Sequence, residues 1–410
     1  MVRKINSQRL LENIERYAQI GKAGKIGVER IALSREDQQA RDLFKTQMIK
    51  AGLVVSVDEI GNMIGLRPGI QNVAPVAIGS HLDTVYQGGR FDGAVGVLAG
   101  LELIQTLNDQ NIETQKPIAL INFTNEEGVR FAPDMMGSHA FAKLGDLASI
   151  LESAAYDNQE QTVDSELQRI GYKGAMKCGA IALDSFLELH IEQGPVLEMK
   201  GTNIGAVEMV QGIYWTKYTI QGQANHAGTT PIALRKDAGY AAAQIMKFIG
   251  DLSRVEGSRL LTTVGTVEFK PNAINIVPDS ARFTLDARSV DLEVLQNGQL
   301  QIDEFINGLL IQSDLRLKRE EMVRFAPVQF DAAVVDLVES AADRLGCSVK
   351  RMPSGAGHDA QMMAAICPTA MIFVPSVNGV SHNVAELTLD ADLENGANVL
   401  LNACLALTNR

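Results

Sequence analysis

Residues 76–104, VAIGSHLDTVYQGGRFDGAVGVLAGLELI, limit the possible folds more than any other stretch. An apolar run at 76–78 stops at Gly79 and Ser80. His81 and Asp83 come next, then a glycine-rich turn, Asp92 and a small-residue run with helical character. A buried strand would deliver an imidazole and a carboxylate at its C-terminal end, and the turn would bring a second carboxylate back beside them. Open α/β sheets place their sites at that edge, and imidazole with carboxylates there is metal-site chemistry. Taken alone, the stretch also fits an ordinary strand, glycine turn and helix with surface polar residues. Four further stretches complete one site and decide between the two.

At 410 residues the chain exceeds one typical domain, so two are expected. No apolar run approaches the ~18 residues of a membrane span, so none is expected. The opening MVRKINSQRLLENIERYAQIG has amphipathic helical spacing and lacks the apolar core of a signal peptide. Cys178, Cys347, Cys367 and Cys404 are scattered and form no Cys-x-x-Cys. They are read as reduced thiols of a cytoplasmic protein, not as ligands. A net charge of −12 without a long basic block argues against nucleic acid as a partner. It leaves a small anionic substrate open, because a metal's local field can dominate a site.

Residues 7–22 and 36–52 carry helical spacing, and 53–69 alternates like a strand pair ending in Pro-Gly. PIALINFTNEEG (117–128) reads as a buried strand ending in two glutamates, 129–175 as helical and irregular, and 185–198 as a helix or helix–loop, with a strand-like stretch after it. From about 212 the order becomes β-α-β-β-α, with helices at 237–251 and 291–311. This suits a small open-faced antiparallel sheet with two helices. From about 325 a strand, a helix (331–345), apolar ICPTAMIFVP and a final helix (388–407) resume the first style. The expected fold is α/β: a catalytic domain, 1–211 with 326–410, built on a central mixed sheet flanked by helices. An α+β domain, 212–325, is inserted into it.

Five of the six histidines stand in polar, glycine-rich or turn-like contexts. Two adjacent divalent cations repel, so an anionic bridge is needed, and Asp92 can supply it. His81 and Glu127 can serve one or both ions, and His190 and His382 can close the set. Three neutral imidazoles and two carboxylates leave excess positive charge, which acidifies a nearby water. In Asn125-Glu126-Glu127-Gly128 the two glutamates point different ways, so Glu126 is read as general base and Glu127 as ligand. Asp83 is read as the carboxylate that accepts the His81 ring N–H and fixes its tautomer. His139 is read as structural.

The set HLDT, GRFDGAVGVLAG, NEEG, HIEQGP, NHAGTTP and SHN resembles the M20 metallopeptidase clan. More narrowly, it is similar to the hydantoinase/carbamoylase branch of amidohydrolases, across essentially the whole chain. The resemblance implies two divalent ions per subunit, zinc or manganese with cobalt or nickel possible. Their ligands would be His81, Asp92, Glu127, His190 and His382, with Glu126 as base. It also argues against a dipeptidase, since peptidase members tend to carry an acidic ligand where this chain has His190. His226 in QANHAGTTP resembles the family histidine that reaches a neighbouring subunit's site and polarises the scissile carbonyl. Asn275 and Arg288 match a family Asn and Arg that bind the substrate's polar groups, although Arg288 could instead pair with Asp286. Gln193 and Gly357 match further substrate contacts, while His358 is read as holding its loop with Asp359.

The expected activity is that of an N-carbamoyl-L-amino acid hydrolase, with allantoate amidohydrolase and β-ureidopropionase as alternatives. Such an enzyme would act on a small ureido acid and form a homodimer through the inserted lid domain. A catalytically silent binding protein on the same scaffold would be marked by loss of Glu126 or a ligand, and none is missing. The chain departs from many relatives at one point: they carry Gln-Arg-Arg-Tyr where it has Trp215-Thr216-Lys217-Tyr218.

Overall fold

A computed structural model describes residues 2–311 and 313–410. The chain divides into two compact units, one running to Glu208 and resuming over Gln329–Arg410, the other Met209–Val328. In chain order the main strands are β1 (Val54–Val57), β2 (Met63–Arg67), β3 (Val76–His81), β4 (Ile118–Phe123), β5 (Ser185–Ile191) and β6 (Ile204–Val210). Next come β7 (Gly212–Gln221), β8 (Leu261–Lys270), β9 (Ser280–Ser289) and β10 (Arg316–Phe325), then β11 (Val328–Gln329), β12 (Val349–Ser354) and β13 (Thr369–Val374).

The larger unit is built on a nine-stranded mixed sheet in the order β11-β6-β13-β5-β3-β4-β2-β1, with β12 paired to β6. Its centre, β13-β5-β3-β4, is parallel, so four strands run out at the same edge. These strands are buried on both faces, as parallel strands under helices are. The helix Ala94–Asp109 packs on β3 through Gly96 and Gly100. A Cβ at Gly96 would fall 2.4 Å from the Leu189 carbonyl oxygen, so small residues set this helix–sheet spacing.

The helical reading of 185–198 is corrected: 185–191 is the central strand β5, and the only helix there is Val196–Lys200. Leu187 and Ile191 are spaced as on a helix face. Burial on both faces removes the alternation that marks a strand, and Glu188 and His190 hide its apolar continuity.

The smaller unit has a four-stranded antiparallel sheet, β8-β9-β7-β10. Helices Ala238–Leu252 and Leu292–Leu310 bury Ile245, Ile249, Ile302 and Ile306 against Tyr218, Phe283 and Leu285. Phe248 and Phe305 stack at 4.2 Å between these helices. The sequence order β-α-β-β-α omits β10. RLKREEMVRF is an exposed edge strand with charges on both faces, and so lacks a period-two apolar signal.

Candidate active site

All the candidate ligands of the larger unit leave the same edge of its sheet. His81 ends β3, Glu126 and Glu127 follow β4, His190 lies on β5, and His382 follows β13. Asp92 returns on the turn after β3. Among the described residues three donor groups form, one of them Glu188, His190 and His358, and the other two are made of the expected ligands alone. His81, Asp92 and His190 lie within 4.8 Å of one another, as do Asp92, Glu127 and His382. Asp92 is common to both, and its two oxygens face opposite ways. Oδ1 is 3.1 Å from His190 Nε2 and 3.7 Å from His81 Nε2, and Oδ2 is 3.5 Å from His382 Nε2. Glu127 Oε2 is 3.4 Å from His382 Nε2, and Glu126 Oε2 is 3.4 Å from His81 Nε2.

Backbone strain accompanies this convergence. Asn125, Gln193 and His382 take φ of +53°, +57° and +52°, a left-handed region that side chains other than glycine seldom occupy. Asn125 Nδ2 donates to the carbonyls of Phe131 and Pro133, which holds the reversal into Glu126.

Asp83 differs from its expected role. Its backbone carbonyl, 3.0 Å away, faces His81 Nδ1, while its carboxylate lies 3.9 Å from that nitrogen. The carboxylate instead accepts the backbone N–H groups of Glu126 and Glu127 at 3.3 and 3.2 Å. It therefore fixes the Glu126–Glu127 turn, and the His81 ring meets the main chain instead.

Burial and neighbouring charges together set the protonation of these groups. Burial lowers His81 to about 4, so the ring is neutral at physiological pH. Burial opposes charge on His190 too, but Asp92 and Glu188 outweigh it and raise the ring to about 9. The Gly93 N–H, 3.2 Å from His190 Nε2, is satisfied only by a ring unprotonated there, so the geometry suits the neutral, ligating form. Burial also works against Asp92, yet His190, His382 and His81 hold it well below the usual carboxylate range. Burial, with Asp359 and Glu127 next in weight, pushes Glu126 well above its ordinary value; for Glu127 the causes are burial, then Asp92 and Asp83. Glu127 Oε1 is buried without a hydrogen-bond partner among the described residues. Imidazoles and mutually repelling buried carboxylates with an unpaired oxygen fit divalent cations in both groups.

Other residues support this cluster without a motif to announce them. Glu188 accepts from Ser80 Oγ at 2.7 Å and from the Ala360 N–H at 2.8 Å. His358 packs edge-on against His190 at 4.5 Å and meets Ser354 Oγ at 2.9 Å; among the described residues its hydrogen-bond partner is Ser354 rather than the expected Asp359. Glu386 binds the turn that carries Asp92. Gln193 Nε2 donates to Asp92 Oδ2 at 2.8 Å, leaving its buried Oε1 unpaired among the described residues. Gly357 lies beside Met135.

In the smaller unit, Asn225–His226 pairs with Ile276–Val277, and the Ala227 N–H donates to the Asn275 carbonyl. His226 and Asn275 thus share one loop pair. His226 Nδ1 accepts the N–H groups of Gly228 and Thr229 at 3.0 and 3.2 Å, so Nε2 of this exposed ring carries the hydrogen and is a donor. Arg288 Nε and Nη2 grip Asp286 at 2.8–3.1 Å. Trp215 stands opposite Asp286 across β7 and β9, with its Nε1 buried and unpaired among the described residues.

A model of peptidase family M20/M25/M40 matches residues 77–406. An N-carbamoyl-L-amino-acid amidohydrolase from Rhizobium meliloti is 39% identical over 404 residues, 98% of this chain and 97% of that protein. An allantoate amidohydrolase from Bacillus subtilis (strain 168) is 33% identical over 398 residues, 95% of each. The crystal structure of a hydantoinase/carbamoylase family amidase from Burkholderia multivorans matches with a TM-score of 0.93 at 40% identity, covering 99% of both chains. The chain belongs to the M20/M25/M40 peptidase family, within its hydantoinase/carbamoylase branch, and is an amidohydrolase, an enzyme that hydrolyses C–N bonds.

Proposed function

We propose that this enzyme hydrolyses the carbamoyl C–N bond of an N-carbamoyl-L-amino acid, giving the amino acid, CO₂ and ammonia. The observation that carries the reading is the pair of donor groups sharing Asp92, with Glu126 beside them. The activity named for the Rhizobium meliloti relative supports the substrate class. Two divalent ions, zinc or manganese, would be held by His81, Asp92 and His190 and by Asp92, Glu127 and His382, and would polarise the carbonyl and acidify the attacking water.

The chain's own residues divide the remaining work. Glu126, with its raised proton affinity, takes a proton from water and passes it to the leaving nitrogen. Asp83 holds Glu126 in place through the backbone. The Nε2–H of His226 donates to the carbamoyl oxygen as charge develops there. Arg288 and Asn275 take the carboxylate, Arg288 exchanging part of its grip on Asp286 for the substrate. The unpaired Oε1 of Gln193 accepts a ureido N–H, and Gly357 offers backbone to the substrate.

A homodimer is part of the proposal. The His226 loop follows the end of β7 at Gln221 and the Asn275 loop joins the end of β8 at Lys270 to the start of β9 at Ser280, and these three strand ends lie together, Ser280 pairing with both Gln221 and Lys270. Arg288 lies eight residues further along β9, about 26 Å of extended strand. A small ureido acid does not bridge such a span, which supports Arg288 and His226 meeting one substrate from different copies.

Allantoate is the second reading, supported by the activity named for the Bacillus subtilis relative. Ammonia release from N-carbamoyl-L-amino acids, allantoate and 3-ureidopropionate separates these substrates. Chelation should abolish activity, and Mn²⁺ or Zn²⁺ should restore it. Turnover of dipeptides with none of any ureido acid would overturn the proposal. Glu126→Gln should keep the metal content and lose about 10³-fold or more in kcat; an undiminished kcat would remove Glu126 as base.

A further inference from the structure

Glu386 is not a candidate ligand, yet its buried carboxylate binds both turns that supply Asp92 and His382. Its Oε1 accepts the N–H groups of Phe91 and Asp92 at 3.0 and 3.2 Å. Its Oε2 lies 3.0 Å from Ser381 Oγ, and the same hydroxyl is 3.1 Å from Asp92 Oδ2. One side chain therefore holds the backbone of Asp92 directly, and Ser381, whose single hydroxyl hydrogen is shared between the two carboxylates, sits between Glu386 and the Asp92 side chain. Gly89 leaves room for this contact, since a Cβ there would lie 2.0 Å from Glu386 Oε1.

The shared position of Asp92 makes its orientation matter twice. A rotation that improved the fit of Oδ1 to the His81 and His190 group would pull Oδ2 from the Glu127 and His382 group. A carboxylate whose two oxygens serve opposite groups needs its main chain fixed, and buried N–H groups need an acceptor. Glu386 meets both requirements with one side chain.

We propose that Glu386 is a positioning residue that fixes Asp92 between the two donor groups and so sets their affinity for divalent cations together. This rests on the reading in which Asp92 serves two ions. Full-length protein, stripped with chelator, is titrated with Zn²⁺ against a chromophoric competitor, and metal per chain is counted after desalting. The wild type should retain two ions. Glu386→Ala should weaken both binding steps about tenfold or more, in line with the effect of losing a group that orients a ligand. Glu386→Gln keeps an acceptor oxygen for the Phe91 and Asp92 amides and should recover affinity to within about threefold. Gly89→Ala leaves Glu386 in the chain but displaces its carboxylate, and should weaken both steps as Glu386→Ala does.

Circular dichroism reports folding, and if Glu386→Ala does not fold, the Gln and Gly89 variants decide. Wild-type affinity in Glu386→Ala, weakening of one step only, or failure of Gln to restore binding overturns the role of Glu386. A wild type that binds one ion overturns the shared-carboxylate reading itself, and this proposal with it.

Discussion

Gly93 leaves His81 almost no latitude. Its φ is +61°, and a Cβ would fall 2.3 Å from His81 Cε1. Gly93→Ala must strain the backbone and displace the ring. Zinc affinity should fall about tenfold or more in a chain that still folds, read by competition titration and circular dichroism; unchanged affinity would show that the ring adapts. The thiols separate by the same kind of local argument. Burial raises all four thiols, but Cys178, Cys367 and Cys404 are buried whereas Cys347 is partly exposed. Ellman's reagent should modify Cys347 first and reach the others only after denaturation. The residues the structure gathers were visible in the sequence where they sit at turns, as with Asp92 beside Gly93 or Glu127 before Gly128. Glu188 and Glu386 carry no such flag. The true partners of the Asp83 carboxylate depend on how β4 lies beside β3, which no local pattern records.

Elements show the same division. The parallel strands β3, β4 and β13 are legible because uninterrupted apolar runs meet glycine or polar residues at their ends. In β5 two polar residues with buried functions break that run, and in β10 solvent removes the need for one. The β1–β2 turn shows how an element end is anchored to the site. Asp58 accepts the N–H groups of Ile60 and Asn62 and the Asn62 side chain, while Asn62 Oδ1 accepts the Thr124 N–H just before Glu126. Burial raises Asp58 from 3.8 to about 6, so the folded state holds its proton more tightly than the unfolded chain does. Its contribution is intact below about pH 4 and is lost as pH rises through about 6. Asp58→Asn does not titrate. Its stability relative to wild type should therefore rise with pH, by up to about 3 kcal/mol between about pH 4 and about pH 7, in urea denaturation. A pH-independent difference would refute the shift.

At the scale of the whole molecule, the proposed exchange of residues between copies has a direct test. His226→Ala and Arg288→Ala should each be nearly inactive. After subunit exchange, about half of the dimers are mixed, and each mixed dimer rebuilds one complete site of two, so activity should return to about a quarter of wild type. No recovery, with exchange verified, would place both residues at the site from one copy. The small sheet carries a further consequence. An unpaired strand edge can template growth without limit. Here the two edges are unequal: β10 is crowded with Arg316, Lys318, Arg319, Glu320, Glu321 and Arg324, while β8, LTTVGTVEFK, carries charge only at Glu268 and Lys270. One edge discourages pairing and the other permits it, so edge-to-edge addition terminates after a single step. A polymer needs two reactive ends, and the small sheet offers one.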